Sequence, residues 1–198
     1  MEIKDFLRDC FQLADWEAVE TLAAVVKIEN YEKGKLLAEA GVPQANLPIL
    51  ADGILRGFLL DREGQDITDC FIYHRGDAVM GCNQLGEPSR INIEAVRPSR
   101  CLLLPISAVK RMLDDVPVLM RLQNRLLTEA LERHWEEKML MHQCSAMERY
   151  QWFLSRYPGL ISLVSNKHIA SFLGMTPVTL SRLRRQVREE QGDGPGQG

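Results

Sequence analysis

Four arginines, Arg182, Arg184, Arg185 and Arg188, crowd one short stretch near the end of this 198-residue chain, with Ser181 beside them. A guanidinium presents a planar fork of N–H donors that fits phosphate oxygens and the O6/N7 edge of guanine. Such a group recognises a polyanion; it makes and breaks no bonds. The residues around it supply a frame. Ser165 suits a helix N-cap, and Ile169, Ala170 and Leu173 repeat at helical spacing before Gly174, which can turn at positive φ. Thr176 can cap a second helix, Pro177 suits its first position, and Leu180, Leu183 and Val187 follow at steps of three and four. Two helices joined so tightly must cross steeply. Ala170 is small where they approach, and Ile169, Leu173, Leu180 and Leu183 would form the core between them, as in a helix-turn-helix. The other face would carry Ser181, Arg182, Arg184, Arg185 and Arg188. With Lys167, Thr176, Pro177, Val178 and Thr179 around it, that face points to double-stranded DNA. A charge run alone reads equally well as a solvated amphipathic helix. The glycine and alanine framework decides for DNA.

The whole-chain balance hides this basic element. The net charge is -3, yet residues 165–188 hold five basic side chains and no acid, and Glu189, Glu190 and Asp193 follow. Residues 1–164 therefore carry -5. A basic element on an acidic body confines DNA contact to one surface. With 45% hydrophobic and 26% charged residues the chain reads as an ordinary globular protein of one large or two modest domains. No apolar run approaches a membrane span and the start shows no signal pattern, so a cytoplasmic location without membrane contact is expected. The cysteines, Cys10, Cys70, Cys82, Cys101 and Cys144, are odd in number and scattered, which suits reduced thiols. Only Cys70, His74 and Cys82 come near a metal-ligand grouping, and structural thiols are the better reading, so no cofactor or metal is expected.

Different elements must position the basic face. A helix capped by Asp15 is expected from Trp16 to about Val26. From Lys27 to Leu104 short alternating runs are broken by Glu32-Lys33-Gly34, Asp52-Gly53, Arg62-Glu63-Gly64 and Arg75-Gly76-Asp77, the spacing of a small sandwich or barrel. Ile54 to Leu60 and Ile67 to Tyr73 read as a hairpin, and Ile91, Ile93 and Ala95 as one buried strand face. A short helix follows from Ser107 to Asp114, then a long one from Pro117 to His142. At 1.5 Å per residue the long helix outruns one small domain, and Leu119, Leu122, Leu126 and Ala130 could form a seam with a second copy; the alternative is that this stripe packs entirely on its own strand domain. A further helix, Ala146 to Tyr157, is capped by Ser145 and stopped by Pro158-Gly159; Gln191 to Gly198 reads as a disordered tail. The expected architecture is α+β: a jelly roll (double-stranded β-helix) with flanking helices over 1–115, a dimerisation helix over 116–143, and a helix-turn-helix domain with its tail over 144–198.

This order of elements resembles the Crp/Fnr superfamily of bacterial transcription regulators, over nearly the whole chain. The closest local matches are Gly53-Ile54-Leu55-Arg56-Gly57 with its hairpin, Gly76-Asp77 where the family has its phosphate-binding cassette, and Ile169-Ala170-Ser171-Phe172-Leu173-Gly174 through Leu180-Ser181-Arg182. The resemblance implies a homodimer whose two recognition helices enter successive major grooves of a palindromic site, with RNA polymerase as a further partner.

Two departures limit what carries over. Members that bind cyclic AMP resemble G-E-x-x-G followed by R-[ST]-A. Here the first half is Gly76-Asp77-Ala78-Val79-Met80-Gly81, and the second half, aligned back from Ala95, puts Ser89 where the arginine belongs and Arg90 one residue along. One residue on a strand turns a side chain to the opposite face. An effector pocket built on Gly76, Asp77, Met80, Gly81, Ser89 and Arg90 should therefore not take cyclic AMP; another small molecule, or none, is expected. In the recognition helix Val178 stands where relatives resemble R-E-T-x-x-R with an acidic base reader, and valine can touch a thymine methyl but accepts no hydrogen bond. Soon after that helix the sequence turns Gly/Gln-rich, so no β-hairpin wing is expected. Iron-sulfur sensing would need several N-terminal cysteines, where only Cys10 stands; haem ligation by Cys70, His74 or Cys82 is left open. A cupin-type enzyme would need two metal-ligating histidines, and His74 is alone in the strand region, so no enzymatic activity is expected. The alternative to a regulator is a ligand-binding or interaction module that has lost regulated DNA reading.

Overall fold

The computed structural model describes residues 2–82 and 84–192, the last three of these by their backbone alone. The chain divides into two compact units, one running to Leu131 and the other starting at Glu132. The boundary falls inside a single helix.

In the first unit, α1 (Ile3–Phe11) precedes α2 (Trp16–Ala23). Helix α1 was not expected from residue spacing. It has no side-chain N-cap, yet Phe6, Leu7 and Phe11 are buried, so tertiary packing holds it. The carboxylate of Asp15 accepts from the backbone N–H of Glu17 and Ala18, as expected for the cap of α2. That helix stops at Ala23, three residues short of expectation. Among the described residues seven strands follow: β1 (Lys27–Tyr31), β2 (Leu36–Ala38), β3 (Asn46–Asp52), β4 (Leu55–Leu60), β5 (Asp66–Ile72), β6 (Asn92–Ala95) and β7 (Ser99–Pro105). They form two antiparallel sheets in the orders β1-β7-β3 and β2-β6-β4-β5. The expected hairpin is β4 with β5, Leu55 opposite Ile72 and Leu60 opposite Asp66.

Strand alternation divides the apolar side chains between two cores. Between the sheets lie Tyr31, Leu50, Cys101 and Leu103 of one and Ala38, Leu55, Ile72, Ile93 and Ala95 of the other. Burial pushes the Cys101 thiol up to about 12, with the Glu29 carboxylate adding to the effect. On the outer face of the three-stranded sheet, Ile49, Ala51, Leu102 and Leu104 pack with α1, α2, α3 (Ile106–Asp115) and the start of α4 (Pro117–Gln143).

This second core corrects the expected dimer seam. Leu119 is 3% exposed within it, and Leu122 and Leu126 pack against it, so these residues face their own strand domain. Of the expected seam, Ala130 alone is exposed. The apolar residues of α4 that do face outward are Met120, Leu127, Leu131, Trp135 and Met139.

In the second unit the remainder of α4 packs with α5 (Ala146–Arg156), a single 3-10 turn (Leu160–Ser162), α6 (Asn166–Phe172) and α7 (Pro177–Gly192). Ser145 and Glu148 form a complete capping box at the start of α5. Helix α7 includes Gln191 and Gly192 of the expected disordered tail; residues 193–198 lie outside the described residues.

Leu119→Ala should destabilise the protein by about 2–5 kcal/mol through the cavity it leaves. Thermal or denaturant unfolding of the two proteins measures it.

Candidate nucleic-acid interface and sensor pocket

Helix α6 begins at Ser165, whose hydroxyl accepts from the His168 N–H at 3.3 Å. It ends at Gly174, where φ is +61° and the next N–H, of Met175, reaches back to the Ala170 carbonyl at 2.9 Å. Thr176 then caps α7, its Oγ1 accepting from the Thr179 N–H at 3.1 Å. Ile169, Ala170, Leu173 and Leu180 have no exposed surface. Leu183 is only half-buried. A cluster that sequence spacing missed completes this core: Phe172 stacks with Trp152 at 6.3 Å and meets Phe153 and Tyr157 at 6.0 and 5.9 Å between ring centroids. Aromatic residues of α5 thus clamp α6 from behind. Their recurrence along 150–157 was the available signal.

Burial of Leu180 turns the opposite side of α7 outward. Pro177, Val178, Ser181, Arg182 and Arg185 line one shallow depression there. Val178 is 60% exposed, and Arg185 reaches Glu189, at 3.5 Å. Lys167 is exposed on α6 and Thr176 is exposed at the turn, while Thr179 is half-buried and shares its hydroxyl with Thr176 at 2.9 Å. Arg184 leaves the expected outward set: its guanidinium donates to Asn166 Oδ1 at 2.5 Å and ties α7 to the first turn of α6.

The pocket residues behave differently. Gly76 and Asp77 close a turn against β3 and α1 instead of lining the space between the sheets. The Gly76 N–H donates to the Leu50 carbonyl at 2.8 Å, and a Cβ there would stand 3.0 Å from Cβ of Cys10. The Asp77 carboxylate accepts from the N–H groups of Tyr73 and His74, at 3.3 and 2.9 Å. Met80 is half-buried and Val79 is fully buried between the sheets. Gly81 and Ser89 pack directly on each other: a Cβ on Gly81 would overlap the Ser89 hydroxyl, which donates to the Ile91 carbonyl at 2.5 Å. Ser89 is buried and Arg90 exposed. Gln44 spans the same region, its Oε1 accepting from the Gly81 N–H and its Nε2 donating to the Val79 carbonyl.

Sequence reasoning also missed Arg56, which is 2% exposed. Its guanidinium contacts Glu94 at 2.7 Å, Asp66 at 3.2 Å and the Thr68 hydroxyl at 3.0 Å. Both carboxylates and the threonine are needed to satisfy so buried a cation. Cys70 lies against Gly57, Cys82 donates to the Gln84 carbonyl, and His74 faces Asp77 at 3.6 Å. Among the described residues no three His, Cys, Asp or Glu side chains gather as a metal site.

Gly81→Ala should cost about 1–3 kcal/mol by overpacking. Adding Ser89→Ala should return part of that loss, so a double-mutant cycle of unfolding free energies should be non-additive.

No protein-family model and no curated protein matches the sequence. Solved structures do. FixK2 from Bradyrhizobium japonicum aligns with a TM-score of 0.77 at 22% identity, over 88% of this chain and 89% of that one. The c-di-GMP responsive global regulator CLP of Xanthomonas campestris aligns at 0.71 and 12% identity, over 93% and 96%. The catabolite activator protein of Thermus thermophilus aligns at 0.57 and 20% identity, over 92% and 87%. With its two facing sheets, long helix and terminal helix-turn-helix, the chain has the fold of the Crp/Fnr regulators.

Proposed function

We propose that this chain is a homodimeric DNA-binding transcription regulator of Crp/Fnr type that does not respond to cyclic AMP. The observation that carries the reading is the outward face of α7, where Val178, Ser181, Arg182 and Arg185 stand together on a helix held by the buried Leu180. Arg182 donates to a guanine edge, and the Val178 methyls contact a thymine methyl. Lys167 meets phosphate. The fold shared with FixK2 and the catabolite activator protein supports the assignment. On this reading the chain has no catalytic role. No helix among the described residues is long and apolar enough to cross a membrane, in keeping with a cytoplasmic regulator acting at promoters with RNA polymerase.

Exclusion of cyclic AMP rests on the region around Gly81. A cyclic phosphate needs a cation and free N–H donors. Here Ser89 fills the space, Gln44 occupies the Gly81 N–H, and Arg90 is exposed. The domain reading follows as strands and flanking helices over 1–115, a dimer helix over 116–143 and the DNA-binding domain from 144. Its dimer face is Met120, Leu127 and Leu131, with Trp135 continuing the four-residue step.

Fluorescence anisotropy against a preferred duplex and a scrambled one, over a salt series, tests the assignment. Arg182→Ala should lose about 1–3 kcal/mol on the preferred duplex and relax the choice of one base, whereas Lys167→Ala should weaken all sequences alike and reduce the salt slope by about one. Equal losses on both duplexes for both variants would refute that division; no binding at any salt would leave an interaction module. In sedimentation, Leu131→Asp should give monomers, while a Leu119→Ala protein that remains folded should still dimerise.

A further inference from the structure

Glu136, Glu137, Leu140 and Met141 share one face of the last turns of α4, since at 3.6 residues per turn they span an arc of about 140°. The Glu136 carboxylate accepts from the Trp152 indole N–H at 2.8 Å. Glu137 accepts from the Tyr157 hydroxyl at 3.4 Å. Leu140 is buried, and the Met141 sulfur lies over the turn of the helix-turn-helix, where it would stand 3.6 Å from a Cβ on Gly174. Trp152 and Tyr157 are two of the rings that meet Phe172 of α6. The two carboxylates therefore grip the aromatic group that holds the first helix of the pair. Trp135 and Met139 fall on the opposite side of α4 and are 51% and 44% exposed. One helix thus carries the helix-turn-helix on one face and, on the other, the side that continues the dimer face.

We propose that Glu136 and Glu137 are positioning residues that set the distance between the two half-sites the dimer reads. The inference rests on the transcription-regulator reading and adds to it the groups that fix the spacing. In a symmetric dimer the separation of the two recognition helices depends on how each helix-turn-helix is turned on its own α4. Apolar contact at Leu140 and Met141 is non-directional and tolerates rotation. A hydrogen bond to a carboxylate is charge-assisted and directional, so the pair of bonds to Trp152 and Tyr157 resists it. Neither carboxylate lies on α7, so base preference inside a half-site does not depend on them.

Anisotropy of the full chain on a duplex with a single half-site, and on palindromes whose half-site separation changes one base pair at a time, tests this directly. The wild-type protein should prefer one separation. A variant with both Glu136→Ala and Glu137→Ala should bind the single half-site as the wild type does and lose about tenfold of its preference among separations. A variant with both Glu136→Gln and Glu137→Gln, whose amide oxygens still accept from Trp152 and Tyr157, should recover most of that preference. An unchanged separation profile in the alanine variant, or a loss on the single half-site equal to that on the palindrome, would overturn the proposal. A wild-type protein that reads the half-site with no preferred separation overturns this inference alone; one that binds no duplex overturns the regulator reading with it.

Discussion

Leu180 enters the angle between α6 and α7 without any exposed surface, and this single burial sets what the rest of the second unit can do. On a helix with 3.6 residues per turn, fixing one side chain inward fixes every other direction. Val178, Ser181, Arg182 and Arg185 consequently face out, and Arg184 falls on the flank, where Asn166 takes it. Ala170 permits the close approach. The aromatic groups of α5 keep α6 from rotating under Leu180. A larger residue at Ala170 would separate the helices and change which arginine presents its fork. Which side chains face outward on α7 is therefore a packing result before it is an electrostatic one.

The first unit applies the same economy to a different end. Its space between the sheets is closed by the chain's own side chains near Gly81, and polar groups that could have met a ligand are satisfied internally by Gln44 and Ser89. Arg56, the most deeply buried cation among the described residues, is likewise consumed by Asp66, Glu94 and Thr68. A cleft opens at the edge strands β1 and β2.

Much of this was legible in the residues. Asp15, Ser145, Ser165 and Thr176 cap the helices expected of them, because an N-cap oxygen acts locally and needs no distant partner. The hairpin of β4 and β5 was readable from its turn. Long-range packing was not. Helix α1 carries no cap and a mixed polar sequence, and only its contact with the outer sheet core explains it. On α4 two apolar series run side by side, Leu119-Leu122-Leu126 and Met120-Leu127-Leu131; spacing alone does not say which faces the strands. Asp77 in a turn and Arg184 beside Asn166 both depended on partners fixed by the fold. The contacts of Gly76, Asp77, Gly81 and Ser89 likewise depend on partners far along the chain, Leu50, Cys10 and Gln44 among them.

Selection of duplexes from a random pool by the purified protein tests the central claim, that the outward face of α7 reads DNA as a symmetric pair. Enrichment of a palindrome whose half-sites lie about one helical turn apart, each containing a guanine next to a thymine, is the predicted result. Enrichment of a single unpaired site, or of no sequence at all, would contradict it.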